Sequence, residues 1–114
     1  MLPRQERLTR GGEFREVLRR GRRYVAAGLV VYYRPGQGGP RVGIRVPRRV
    51  GGAVVRNRVR RRLRQAYREL RAEVLPGDYV LVAREECAAM GTLQLKEALR
   101  EVLKKARSDA GESV

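Results

Sequence analysis

Histidine and tryptophan are absent from the 114-residue chain, and Cys87 is its only cysteine. Without histidine, the general acid-base chemistry that many protein ribonucleases use has no side chain to carry it. Aspartate occurs only at Asp78 and Asp109, and the glutamates fall mainly on expected helix surfaces, so no paired set suggests a two-metal centre. A lone cysteine excludes an internal disulfide and gives no sign of an oxidising compartment; Cys87 reads as a small buried hydrophobe. Long apolar runs are also missing. Met1 to Arg10 has no signal-peptide core, and the longest apolar stretch, Tyr24 to Tyr33, is too short to span a bilayer. The expected location is the cytoplasm.

What the chain has in excess is positive charge. Lysine plus arginine total 27 against 12 aspartate plus glutamate, a formal net charge of +15. On a small domain this balance attracts a polyanion. Arginine greatly outnumbers lysine, and its planar fork grips phosphate oxygens in pairs or stacks on bases. A hydrophobic content of 42% is enough for a core, so the chain is not a disordered tail.

The pattern predicts one domain over 1–114, with residues 108–114 a frayed tail. Leu8 to Leu18 reads as a helix, capped by Thr9 and stopped by Gly21. Arg22 to Val25 and Leu29 to Tyr33 read as strands around Gly28. Arg34 to Pro40 is a loop, and Arg41 to Val46 is a strand expected to pair antiparallel with the one before it. A long helix starts near Ala53, with its pattern running to Val74. Asp78 to Ala83 reads as a central strand, apolar on both faces. Thr92 is expected to cap a final helix ending near Arg107. The order is α-β-β-β-α-β-α, an α+β chain folded as a small α/β sandwich.

The informative segment is Val54 to Val74. Val55, Val59, Leu63, Ala66, Tyr67, Leu70 and Val74 recur every three or four residues and define an apolar stripe. Asn57, Arg61, Arg64 and Arg68 fall opposite it, flanked by Arg58 and Arg62 on one edge and Arg56, Arg60 and Arg71 on the other. Cations crowded into the first turns sit at the wrong end of the helix dipole and repel one another. A polyanion lying there reverses both penalties. Arg48 and Arg49 extend the patch upstream.

The run Val54-Val55-Arg56-Asn57-Arg58-Val59-Arg60-Arg61-Arg62-Leu63-Arg64-Gln65 resembles the signature of the bacterial ribonuclease P proteins, in which Arg-Asn-Arg opens a basic helix. Phe14-x-x-Val17, Gly21, Val42-Gly43-Ile44, the pair Arg48 and Arg49 before Gly51, and Asp78-Tyr79-Val80 follow the same family in order, over roughly residues 3 to 106. The resemblance implies an α/β sandwich with a left-handed strand-helix-strand crossover through the arginine helix. It implies an accessory subunit with no catalytic side chains, one per catalytic RNA, helping that RNA remove the 5′ leader of precursor tRNA. The chemistry then belongs to magnesium ions held mainly by the RNA, and no tightly bound cofactor of the protein is implied. By position, Arg56, Asn57, Arg58, Arg60, Arg61 and Arg64, with Arg48 and Arg49, would face the ribonuclease P RNA. Phe14, Leu18, Val30 and Tyr32 match the lining of a cleft for the leader. Leu18 and Pro47 depart from the family's usual residues. Neither membrane nor DNA partners are implied.

Two other classes stay open on the residues alone. A structural ribonucleoprotein component explains charge and size but not the ordered motifs. A small nuclease would need cryptic carboxylate-metal chemistry. A DNA-reading helix fits poorly, because Asn57 and Gln65 are nearly the only base-reading amides on it.

Overall fold

The computed structural model describes residues 7, 8 and 11–112. Helix α1 (Gly11–Arg20) is followed by strands β1 (Arg22–Ala26), β2 (Leu29–Pro35) and β3 (Arg41–Arg45). Helix α2 (Ala53–Glu69), strand β4 (Gly77–Ala83) and helix α3 (Thr92–Glu112) complete the order. Glu13 in its first turn and Arg19 and Arg20 in its last suit the α1 dipole. The helix stops at Gly21, whose N–H donates to the Val17 carbonyl at 2.7 Å. A Cβ at Gly21 would lie 2.5 Å from that oxygen, so only glycine fits.

The start of α1 differs from the expectation. Leu8 is not helical: its N–H donates to the Val42 carbonyl at 2.9 Å, and Arg7 bridges Val42 in parallel. This short extended segment covers the free edge of β3, which would otherwise present unpaired backbone groups. The expected cap, Thr9, lies outside the described residues.

The four strands form one sheet in the order β1-β2-β4-β3. β1 and β2 make a tight hairpin with Ala26 opposite Leu29, and Gly28 takes the positive φ of 70° that the two-residue turn needs. The expected pairing of β2 with β3 does not occur. β4 lies between them, antiparallel to β2 and parallel to β3. The cause is β4 itself: Tyr79, Val80, Leu81 and Ala83 are at most 1% exposed, and a strand apolar on both faces gains most from a central place. β3, α2 and β4 therefore make a β-α-β unit with adjacent parallel strands.

Alternation divides the sheet into two faces. Leu29, Val31, Tyr33, Tyr79 and Leu81 pack with Val59, Leu63 and Tyr67 of α2 and Leu95, Leu99, Val102 and Leu103 of α3 in the main core. On the other face, Val80 joins Leu8 and Val17, with Phe14, Leu18, Tyr32 and Val82 packed beside them. The α2 stripe thus seats as its spacing predicts. The helix ends at Glu69 rather than Val74, and Arg71–Glu73 form a 3-10 turn that still lets Leu70 reach the core.

At α3, Thr92 is the first helical residue and not the cap. Gly91 precedes it, accepting from the Leu95 N–H at 3.0 Å while its own N–H donates to Gln94 Oε1 at 2.9 Å. The helix continues to Glu112, beyond the expected Arg107, where the Tyr24 hydroxyl donates to Asp109 at 2.6 Å and ties its last turns to β1.

Candidate nucleic-acid interface

Two surfaces concentrate exposed arginines. The first is the outer face of α2. Asn57, Arg61 and Arg64 are exposed, and Arg56, Arg58, Arg60, Arg62 and Arg68 are half-buried. No carboxylate precedes Glu69 in this helix, and its first turn has no acidic residue. Gly52 at the N-cap supplies no side-chain acceptor, so the opening amides keep their donors free for an anion.

Not every arginine here is free. Arg62 donates to the Met90 carbonyl at 2.8 Å, tying α2 to the turn before α3. Arg60 donates to Asn57 Oδ1 at 2.8 Å, which fixes the amide of the Arg-Asn-Arg run within the basic face. Shallow hollows of about 280 Å³ and 330 Å³ lie among Arg58, Arg61, Arg62 and Gln65, and among Arg61, Arg64, Gln65 and Arg68. Their lining is mostly arginine, a charge that suits phosphate.

The second surface is a cleft of about 460 Å³ on the face of the sheet that α1 only partly covers. Leu18, Val30, Tyr32 and Val82 are its apolar lining, and Arg23, Arg45, Arg49 and Arg84 its cationic part. The structure thus brings Leu18, Val30 and Tyr32 together. Phe14 belongs to the same apolar group, but its ring is packed over Gly43 and does not line the cleft. Pro47, extended at ψ 155°, leads into the 3-10 turn Arg48–Val50. Buried Val50 anchors that turn, both arginines are exposed, and Arg49 reaches the cleft instead of simply extending the α2 patch.

Arg23, Arg45 and Arg84 were not among the residues singled out in the sequence. They come from β1, β3 and the residue just after β4, and the signal of the first two was their parity. Arg23 stands opposite Tyr32 and Arg45 opposite Val82, so both point away from the main core.

Nothing in either surface resembles a catalytic centre. Among the described residues, no group of three or more His, Cys, Asp or Glu side chains is placed to hold a metal ion. Asp78 is engaged by Arg41, whose Nε and Nη2 donate to its two oxygens at 2.9 Å. The Cys87 thiol is pushed up to about 11 by burial, so it is not a nucleophile at neutral pH. No helix among the described residues is long and apolar enough to cross a membrane.

Residues 2–107 match the family model described as Ribonuclease P. The chain is 45% identical over 103 residues to a ribonuclease P protein component of Geobacillus thermodenitrificans, covering 88% of this chain and 85% of that one. A ribonuclease P protein component of Bacillus cereus is 36% identical over 107 residues, covering 91% and 93%. Among solved structures, the RNase P protein of Staphylococcus aureus superposes with a TM-score of 0.80 at 29% identity, over 89% of this chain and 94% of that one. That of Thermotoga maritima gives 0.78 at 27% identity, over 88% and 96%.

Proposed function

The chain belongs to the ribonuclease P protein family, and we propose that it binds the catalytic RNA through α2 and the 5′ leader of precursor tRNA through the cleft. It is the accessory protein subunit of an endoribonuclease that generates the mature 5′ end of tRNA. One protein joins each RNA, in the cytoplasm. Magnesium ions held by the RNA perform the hydrolysis, and the protein's part is to bind and orient.

On α2, Arg56, Asn57, Arg58, Arg60, Arg61 and Arg64 face the ribonuclease P RNA, with Arg48 beside them. The observation that carries this reading is a helix start with no carboxylate and no side-chain cap, crowded with arginines. RNA phosphates relieve the repulsion that the free protein bears there. In the cleft, Leu18 and Val30 offer apolar contact and Tyr32 a stacking face for an unpaired base. Phe14 acts from behind, holding α1 against the sheet.

The test is cleavage of precursor tRNA at low magnesium by the protein alone, by a bacterial ribonuclease P RNA alone, and by the two together. The accessory role predicts cleavage that needs the RNA and is stimulated by the protein. Cleavage by the protein alone, or no stimulation despite tight RNA binding, contradicts it.

A further inference from the structure

The extended segment before α1 carries a cation that the free protein leaves without a counter-charge among the described residues. Leu8 turns its side chain into the small core with Val17 and Val80, on the α1 side of the sheet. Arg7 alternates to the other side, where its bridge partner Val42 belongs to the main core. Arg7 therefore lies on the α2 side of the sheet, along the outer edge of β3.

The contacts of α2 with α3 show which side of α2 overhangs that edge. Arg62 donates to the Met90 carbonyl just before α3, and Glu69 accepts from Lys96 of α3 at 3.0 Å. These two mark the side of α2 that faces α3. At about 100° per residue, Arg56 and Arg60 lie roughly a third to half a turn away. Since α3 packs over β1 and β2 and α2 over β3, that side of α2 faces the β3 edge. Arg7 joins Arg56 and Arg60 there.

All three arginines are half-buried. The Nε atoms of Arg7 and Arg56 are shut off from solvent and have no acceptor. Neither residue makes a hydrogen bond or ion pair among the described residues, and Arg60 donates only to Asn57. Arg41, one residue before Val42, faces the opposite way and engages Glu13 and Asp78 on the other face of the sheet. Sheltered donors without an acceptor, beside like charges, weaken a free protein. A phosphate relieves both at once.

We propose that Arg7 is part of the RNA-binding surface: the ribonuclease P RNA follows α2 around the β3 edge, gripped by Arg56 and Arg60 and by Arg7 of the segment that covers that edge. The inference rests on the reading that α2 takes the RNA, and it extends that surface to a second element. The covering segment then has two tasks. Leu8 closes the strand edge, and Arg7 presents charge beside it.

The experiment titrates a bacterial ribonuclease P RNA with the protein over a range of salt. Arg7→Met keeps the apolar stem and removes the charge. It should flatten the slope of log affinity against log salt by about 0.9, the worth of one duplex phosphate contact. Arg7→Lys should keep the parent slope, and so should Lys104→Gln on the exposed side of α3. A parent slope for Arg7→Met, where Arg61→Gln/Arg64→Gln is flattened, overturns the proposal while keeping the RNA on α2. Parent slopes in both remove the α2 reading and the place of Arg7 with it. If circular dichroism shows Arg7→Met unfolded, the parent protein decides. An arginine-selective dicarbonyl reagent, read by mass spectrometry, should modify Arg7 in the free protein and be blocked by the RNA. Equal modification with and without RNA overturns the proposal.

Discussion

The ring of Phe14 lies directly on Gly43: a Cβ built on that glycine would stand 2.2 Å from the ring's Cζ. Gly43 is buried in edge strand β3, on the face opposite the main core, and leaves the space that lets α1 approach the sheet. Gly43→Ala should therefore destabilise the fold by about 1–3 kcal/mol through overpacking. Urea unfolding checks this. The double variant with Phe14→Ala should cost less than the sum of the two singles, because they share one contact.

Neutralising Arg61 and Arg64 removes charge that the free protein does not use. Both are exposed on α2. The Arg61→Gln/Arg64→Gln protein should match or slightly exceed the parent in thermal stability, since each like-charge pair costs about 0.2–0.5 kcal/mol. Its affinity for ribonuclease P RNA should fall, and the salt slope should flatten by about 0.9 for each lost duplex phosphate contact. Unchanged RNA affinity would remove α2 from the interface.

Tyr32 is half-buried, with its ring facing the cleft. Tyr32→Ala in the holoenzyme should weaken leader-bearing precursor tRNA by about 1–3 kcal/mol, the worth of one stacked base. Tyr32→Phe should keep the affinity, because stacking needs the ring and not the hydroxyl. Assembly with the RNA, followed by gel mobility, should be the same for both.

Cys87 is fully buried, and its thiol donates to the Gly28 carbonyl at 2.8 Å. Burial pushes it up from 9.0 to about 11 in the folded chain. The unfolded chain therefore loses the thiol proton first as pH rises. This thiol's contribution to stability is whole below pH 9 and drains away by about pH 11. Comparing urea unfolding of the parent and Cys87→Ala from pH 8 to 11 isolates it: the parent should lose more stability over that range.

Periodic features were legible in the sequence, and long-range ones were not. The α2 stripe and the inner face of α3 follow from spacing alone, since a helix buries what recurs every three or four residues. The central place of β4 was likewise readable from its unbroken apolar run. The partner of β3 was not, because strands adjacent in the chain usually pair and only the tertiary demand of β4 separates β2 from β3. Leu8 misled for a similar reason. It continues the apolar rhythm of α1, yet its backbone does more by covering the edge of β3.

The site divided along the same line. The α2 cations are consecutive in sequence and visible as a block. The cleft is assembled from α1, all four strands and the turn at Arg48, so Leu18, Val30 and Tyr32 could be reached through the family resemblance, but Arg23, Arg45 and Arg84 could not. Arg49, grouped with Arg48 by adjacency, lines the cleft because the 3-10 turn buries Val50 and aims the preceding side chain across the sheet.

The central claim, that this protein adds a leader site to an RNA catalyst, is tested most directly by one ratio. The affinity for precursor tRNA relative to mature tRNA should be compared between the ribonuclease P RNA alone and the same RNA with the protein bound. The account predicts that the protein raises this ratio, because its cleft touches only the substrate that has a leader. An equal tightening of both tRNAs, with the ratio unchanged, would contradict it.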